Sequence, residues 1–391
     1  MKLRKITPDE FITMQNNMNI AFRFERTETP VDSNNESDFC YGAYTDDGIM
    51  TSSVIANPYK CCYWGQDVGM CGVGGVATFP EYRREGHMRH LLPFVLKAAY
   101  DRGDVLSSLF PFSHPFYRKF GFECGHPVQY MDFGMEAFKD IPYVGSVKQF
   151  LPGGDFSEIK AIYARFQKKH NFLCQRSDAY WQHRFGKDPY VTHHHTYIWY
   201  DENAQARAYC LLDHLQSDDS KSYSVLDWAF DDVSALRGLF GFFRLLTPSA
   251  ERMSFKLPAD VNPFSLFPEP YDISVSTKNC GMVRIINAAE ALRLHPWPAD
   301  LGGFSVRVHD SNLADNDHTY RVSCSGETHV TLDDDSQPDL EVSIQALSVL
   351  LTGVMDLPAA ILNRADVQLH RPSDALLAAF PANAGFLVEN F

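Results

Sequence analysis

The sequence predicts an α/β (α+β) fold that is divided among two or three domains. The chain has 391 residues, more than a single hydrophobic core usually accommodates. Strand-like and helix-like patterns alternate along it, and one strand-to-helix unit recurs later in a weaker form. With 45% hydrophobic and 21% charged residues, the chain has enough apolar surface to order its whole length.

The N-terminal region reads as one helix followed by an antiparallel meander and a second helix. The first helix is predicted at residues 7–25, because Thr7-Pro8-Asp9-Glu10 is a typical helix start and the apolar residues from Phe11 to Phe22 follow at helical spacing. The next elements are predicted strands at 39–44, 49–56 and 71–79, a helix with its apolar face from Met88 to Ala99, and a strand at 105–110.

Two further regions follow a stretch rich in Pro and Gly around residues 142–154. A strand at 223–230 and a helix at 233–243 repeat the earlier strand-to-helix unit, but Asp231-Asp232 stands where the first unit has Arg83-Arg84-Glu85-Gly86. The last region has short predicted strands at 304–308, 320–324, 329–332 and 340–342, a helix at 344–352 and an apolar end that we expect to be packed.

The segment from Val76 to Arg89 carries the clearest chemical signal. It places a basic, glycine-containing turn between a strand and a helix start. Backbone N–H groups at a helix N-terminus bind anions, and a glycine lets the backbone approach phosphate oxygens closely. Arg84 and Arg89 can add charge-assisted hydrogen bonds. An ordinary basic helix start is the alternative, although cations oppose the helix dipole there; the turn therefore predicts a pyrophosphate site.

Arg83-x-x-Gly86-x-Met88 resembles the acetyl-CoA signature of the GNAT N-acetyltransferases, (Q/R)-x-x-G-x-(G/A), with Met88 departing at the last position. The Arg-Arg-x-Gly form is similar to that of the Eis-like (enhanced intracellular survival) acetyltransferase family. This resemblance implies two tandem GNAT-like domains followed by a sterol-carrier-protein-like α+β domain. The expected boundaries are 1–142, with the acetyl-CoA site, 143–284, without cofactor, and 285–391.

The resemblance also implies roles for individual residues. Phe116-Tyr117-x-x-Phe120-Gly121-Phe122 matches the motif that holds the family's general acid, which here is Tyr117; a core tyrosine is the alternative. The α-carboxylate of Phe391 matches the family's general base. The implied cofactor contacts are Val76, Ala77, Thr78, Arg83, Arg84, Glu85, Gly86, His87, Met88 and Arg89, with Phe112 and Ser113 further along.

The expected function is direct acetyl transfer from acetyl-CoA to a primary amine, without a metal. The resemblance implies an acidic acceptor pocket, but Asn390, the residue before the terminal Phe391, is neutral. The sequence therefore does not choose among lysine side chains, aminoglycosides and polyamine-like molecules as acceptors. A longer acyl-CoA is a second enzymatic alternative. The non-enzymatic alternative is a lipid-binding or scaffold protein with a vestigial GNAT fold.

Several other partners are disfavoured by the sequence. The net charge of −14 opposes binding to nucleic acid or to an anionic membrane. His193-His194-His195 would alternate across a strand and cannot all face one metal ion.

The odd count of nine cysteines, together with an N-terminus lacking the apolar run of a signal peptide, favours a cytoplasmic protein. The resemblance implies a homohexamer.

Overall fold

Three β-sheets organise the chain in the computed structural model, which describes residues 1–23, 37–214, 221–271, 273–279, 281–324 and 326–389. These residues fall into two units. The first unit holds Met1–Gly125, Gly281–Asn383 and the segment that starts at Val388. The second holds the chain between them, from His126, together with Ala384–Leu387.

The N-terminal part of the first unit contains the predicted elements in the predicted order, together with three that were not predicted. Its elements are β1 (Lys2–Lys5), α1 (Phe11–Phe22), β2 (Cys40–Tyr44), β3 (Met50–Tyr63), β4 (Gln66–Thr78), α2 (His87–Arg102), β5 (Leu106–Leu109), α3 (His114–Arg118) and β6 (Glu123–Cys124). The three that were not predicted are β1, α3 and β6. The predicted helix start is confirmed, because Glu10 Oε2 accepts the Thr7 N–H at 3.0 Å and the Thr7 hydroxyl at 2.9 Å. α1 ends earlier than predicted, with Arg23 in the left-handed conformation (φ 57°).

The β3–β4 hairpin is longer than the sequence predicted. Its two strands meet at Trp64 (φ 51°) and Gly65 (φ 77°), a pair of left-handed residues typical of a two-residue type I′ turn. Such a turn rarely contains tryptophan, so the hairpin could not be predicted from its turn residues. The Trp64 indole N–H donates to the Leu351 carbonyl at 2.7 Å, so a distant contact holds this turn.

The second unit contains one seven-stranded sheet in the order β13-β7-β12-β11-β10-β9-β8. Its elements are β7 (Pro127–Gly134), β8 (Ser146–Phe150), α4 (Ser157–Gln167), α5 (Asp178–Phe185), α6 (Pro189–Thr192), β9 (His194–Tyr200), β10 (Ala206–Asp213), β11 (Ser222–Phe230), α7 (Val233–Leu245), β12 (Arg252–Pro258) and β13 (Val275–Asn279).

The predicted repeat is present in the two large sheets. In each, a strand paired antiparallel to its predecessor leads through a helix to a parallel strand. β4 pairs with β5 only from Met70 to Gly72, and β11 pairs with β12 only from Ser222 to Ser224. Both antiparallel pairs also contain a register shift. The two units therefore share one topology, including the early parting of the parallel strands.

The C-terminal region supplies a strand to the first sheet and a small sheet of its own. Its elements are β14 (Met282–Ile285), α8 (Ala288–Leu294), β15 (Gly303–His309), β16 (Thr319–Ser323), β17 (His329–Leu332), β18 (Leu340–Ser343), α9 (Ile344–Leu351), α10 (Leu357–Asn363), β19 (Val367–Leu369) and α11 (Asp374–Ala378). β14 lies between β5 and β6 in the sheet β1-β2-β3-β4-β5-β14-β6, and the small sheet has the order β17-β16-β15-β18-β19. Near the chain end, Phe386 and Leu387 are buried, as predicted.

One hydrophobic cluster connects α2 to the first sheet. The inner face of α2, from Met88 through Leu92 and Val95 to Ala99, is buried against β2, β3 and β4. This packing fixes the N-terminus of α2 beside the end of β4. None of the described helices is long and apolar enough to cross a membrane.

A buried ion pair supports the turn after α3. The Arg284 guanidinium on β14 donates to Asp310 at 2.6 Å, and both side chains are fully buried. Gly121 lies against this pair with φ +82°. A Cβ at Gly121 would overlap Arg284 Nη1 and would lie 2.9 Å from Ile344 Cγ2. Glycine is therefore required here by both conformation and space.

We predict that Gly121→Ala destabilises the protein far more than Gly86→Ala. Gly86, the residue before α2, has a similar φ of +87°, but a Cβ there meets open space, so its cost is the left-handed conformation alone, about 1–2 kcal/mol. Gly121→Ala must also displace a buried ion pair, so it should cost about 3 kcal/mol or more. Urea unfolding followed by circular dichroism measures both, and equal losses would contradict the account.

Candidate active site

The parting of β4 from β5 leaves one edge of β4 open. The parallel pairing stops at Gly72 and Ser108, while β4 continues to Thr78 alongside β3. Beyond Gly72, no described strand pairs with the β5-facing edge of β4. The backbone N–H and C=O groups on this edge can therefore bind an extended ligand in the manner of an added strand.

A glycine bulge shapes this edge. Gly75 has φ +56°, and a Cβ there would lie 2.8 Å from the Ile55 side chain. The β3–β4 register shifts at the same point, between Ser53 and Ile55. Bulges bend a strand and redirect its backbone groups. The N–H and C=O groups from Val76 to Thr78 are therefore shifted out of the regular hydrogen-bonding pattern of the sheet. The Gly74-Gly75 pair within a strand was a signal for this bulge that the sequence interpretation did not use.

The turn between β4 and α2 presents a row of backbone N–H groups. Arg84 adopts a left-handed φ of 70° and Gly86 follows at 87°. Across the part of the chain that the structure describes, the N–H groups from Arg84 to Met88 donate to no other protein group, whereas that of Arg89 donates to Gly86 at 2.9 Å. The helix start therefore presents unpaired N–H groups of the kind that bind anions. A non-glycine residue in the left-handed region is strained, which is characteristic of functional turns.

The side chains of this turn differ in their surroundings. Arg83 Nε donates to the Thr78 carbonyl at 3.2 Å, which ties the turn to the end of β4. His87 contacts the Glu85 carboxylate at 3.0 Å. Arg84 and Arg89 are exposed, so their guanidinium groups can reach a ligand at the helix N-terminus.

Tyr117 lies on the short helix α3 and is 3% exposed. Its ring packs in the hydrophobic cluster that also contains Met88 and Val73, with Val76 at the margin. Burial raises the pKa of Tyr117 well above its ordinary value, so the phenol keeps its proton at physiological pH. The hydroxyl forms no hydrogen bond with any described residue, which leaves its proton available to a ligand.

Aromatic rings surround Tyr117. Its ring meets Phe112 edge-on at 5.4 Å and Phe116 at 5.1 Å between centroids. Phe112 is 68% exposed, an unusual state for a phenylalanine next to a buried cluster. Ser113 precedes α3 as its N-cap without a capping side-chain bond. The structure therefore places Phe112, Ser113 and Tyr117 together, in the same unit as the open turn.

The predicted base lies outside the described residues, since the description ends at Glu389. Glu389 itself is buried in the first unit. Burial raises the pKa of the Cys61 thiol, and nearby acidic groups, including Glu389, raise it further. Glu389 therefore lies near Cys61 of β3, within the first unit.

The corresponding helix start of the second unit is filled by carboxylates. Asp232 Oδ1 accepts the Ala235 N–H at 2.9 Å and so caps α7. Arg207 donates to Asp232 at 2.6 Å and to Asp231 at 3.0 Å. Where the first unit has an open turn with arginines, the second has the carboxylates of Asp231 and Asp232, which are already paired with Arg207.

Sequence reasoning missed Arg284, which packs against Gly121 in the turn after Tyr117, and Asp310, which is paired with Arg284. Arg284 is a charged residue inside the apolar run of β14, which was the one available signal for a buried partner. Nothing in the sequence identified Asp310 as that partner.

Comparison with known families identifies three domains. A model described as an acetyltransferase (GNAT) domain matches residues 2–125, and a second model with the same description matches residues 173–285. A sterol carrier protein domain model matches residues 288–381. No curated protein matches the chain.

Solved structures share the fold over the full chain. A probable N-acyltransferase of unknown function from Enterococcus faecalis is 21% identical with a TM-score of 0.83, and the match covers 100% of this chain and 99% of that one. A GCN5-related N-acetyltransferase from Anabaena variabilis is 18% identical with a TM-score of 0.84, and Eis1 from Mycobacterium abscessus is 18% identical with a TM-score of 0.82; both matches cover 100% of both chains.

These likenesses agree with the predicted α/β architecture and with the repeat seen in the two large sheets. The chain is an acyltransferase that belongs to the GNAT acetyltransferase superfamily, with two GNAT domains followed by a sterol-carrier-protein-like domain.

Proposed function

We propose that this protein is an acetyl-CoA-dependent N-acetyltransferase that acts directly on a primary amine, with its catalytic site in the first unit. The observation that carries the proposal is the open edge of β4 running into the open N-terminus of α2. GNAT domains use acetyl-CoA, and this pair of features suits a ligand with an extended amide-bearing arm and a pyrophosphate.

The first step of the proposal concerns the cofactor. The N–H groups from Arg84 to Met88 would bind the pyrophosphate, and the exposed guanidinium groups of Arg84 and Arg89 would add charge. The two amides of the pantetheine arm would pair with the edge from Val76 to Thr78. The thioester would then lie where β4 and β5 part, close to the cluster that contains Tyr117.

Tyr117 is proposed as the group that stabilises the leaving thiolate of CoA. The amine nitrogen forms a bond to the acetyl carbon, and the carbon–sulfur bond breaks. The pKa of Tyr117 is raised by burial and lies above that of a thiol, about 8.5. Tyr117 therefore donates a hydrogen bond to the developing thiolate and keeps its own proton, and the released thiolate takes its proton from water.

The α-carboxylate of Phe391 is proposed as the base that takes the amine proton, directly or through water. Its ordinary pKa of about 3.5 keeps it ionised at neutral pH. Support comes from Glu389, which is buried in the first unit two residues before Phe391. Two more residues extend the chain by about 7 Å at most.

Lysine side chains, aminoglycosides and polyamine-like amines are the proposed acceptor classes, and Eis-like membership is part of the same proposal. The overall negative charge of the chain favours a cationic acceptor. The exposed ring of Phe112 beside Tyr117 would contact the acceptor's apolar part or the acyl group. A homohexamer is proposed from the resemblance alone, and a cytoplasmic protein from the cysteine usage.

Tyr117→Phe is expected to lower kcat by about 10²-fold or more, the usual loss when a hydrogen-bond donor to developing charge is removed, while acetyl-CoA binding is retained. Since the raised pKa keeps the phenol protonated, the loss should be the same at every pH from about 6 to 9. Acetylation assays against a panel of amines measure it. The control is Tyr41→Phe, a buried tyrosine of the same cluster, which should keep wild-type turnover; an active Tyr117→Phe variant rejects the role of the phenol.

Extending a chain that ends at Phe391 by two glycines is expected to abolish turnover, because the carboxylate moves by about 7 Å. Calorimetric titration with acetyl-CoA should give an unchanged Kd, since the cofactor contacts are elsewhere. Wild-type kcat in the extended chain would remove Phe391 from the mechanism and leave the cofactor site unaffected.

A further inference from the structure

We infer that side chains of the sterol-carrier-like domain position Tyr117, because they hold the turn that follows this residue. This inference rests on the proposed role of Tyr117. The domain supplies positioning residues for it, with Asn312 and Gln345 in direct contact with the end of α3.

The sterol-carrier-like domain donates two side-chain hydrogen bonds to the end of α3. Asn312 Nδ2 donates to the Lys119 carbonyl at 3.1 Å, and Gln345 Nε2 donates to the Arg118 carbonyl at 2.9 Å. The Arg118 carbonyl also accepts the Gly121 N–H at 3.1 Å. A helix as short as α3 is not stable alone, and these two amide side chains add donors from a distant domain at its C-terminal end.

A second contact holds the far side of the same turn. Arg364 of the sterol-carrier-like domain contacts the Glu123 carboxylate at 3.1 Å, and Arg118 on α3 contacts its other oxygen at 2.7 Å. Burial alone would raise the pKa of Glu123, but the bonds from Arg118 and the Cys124 N–H and the charge of Arg364 hold it below its ordinary value. Glu123 is therefore an ionised bridge between α3 and the domain.

The buried ion pair connects these contacts to the core. Asp310 accepts the backbone N–H groups of Asn312 at 3.0 Å and Leu313 at 3.2 Å, as well as the Arg284 guanidinium. Asp310 thus fixes the backbone of Asn312, whose side chain donates to the Lys119 carbonyl. Gly121 closes against Arg284 on the other side. The turn is therefore held by side chains of the sterol-carrier-like domain, with Arg284 of β14 packed against Gly121.

Displacing this turn must displace Tyr117. The Tyr117 carbonyl accepts the N–H groups of Phe120 at 2.9 Å and Phe122 at 3.3 Å, so the backbone of the turn is bonded to the catalytic residue itself. A misplacement of about 1 Å in a reacting group costs on the order of 10²-fold in rate. The contacts of Asn312 and Gln345 therefore control kcat through the position of the phenol.

The test compares Asn312→Ala/Gln345→Ala with Asn363→Ala in the full chain. Asn363 also donates its amide to a helix carbonyl, that of Ala359 at 2.8 Å, but within its own domain, so it is a matched control. We expect the double variant to lose about 10- to 100-fold in kcat with an unchanged Kd for acetyl-CoA, and the control to keep wild-type kcat. Gln345→Lys, which keeps a donor, should preserve more activity than Gln345→Glu.

Repeating the double variant in a Tyr117→Phe background separates positioning from general loss of structure. If the two amides act through the phenol, their removal adds little to the loss already caused by Tyr117→Phe. Wild-type kcat in the double variant, or an equal loss in both backgrounds, would overturn the inference. Failure of the proposed function is visible separately, because Tyr117→Phe alone would then be fully active.

Discussion

β4 and β5 form parallel pairs through only three positions, and the rest of the candidate site follows from their separation. Because β4 runs on to Thr78 while staying paired with β3, its other edge keeps backbone groups that the sheet does not use. α2 packs its apolar face on the same sheet, which brings its open N-terminus to the end of that edge. α3 then places Tyr117 in the hydrophobic cluster that also contains the apolar face of α2. An extended ligand with an anionic end fits a site built in this way.

The second unit shows that the topology alone does not make the site. β11 and β12 part after three pairs as β4 and β5 do, and α7 follows as α2 does. The difference lies in a few side chains. Asp232 caps α7, and Asp231 and Asp232 are paired with Arg207, so the helix dipole is already matched by internal carboxylates. One fold thus carries an open anion site in one copy and a closed one in the other.

Local signals predicted much of the fold and of the site. The Thr7–Glu10 helix start, the apolar face of α2, Gly86 and the strand-to-helix repeat each depend on residues close in sequence. The type I′ turn at Trp64 was missed because tryptophan is a rare turn residue, and its indole is held by Leu351. The support of Tyr117 was missed for a similar reason: Asn312 and Gln345 contact residues 193 and 227 positions away, and sequence spacing carries no trace of such pairs.

The most direct measurement of the central claim is calorimetric titration of the full chain with acetyl-CoA. The account predicts one molecule bound per chain, with affinity weakened by Arg84→Glu, which reverses a charge at the open turn, and unchanged by Asp232→Ser, which keeps a capping residue on α7. Absence of binding, or binding that is insensitive to Arg84→Glu and lost in Asp232→Ser, would contradict the assignment of the cofactor to the first unit.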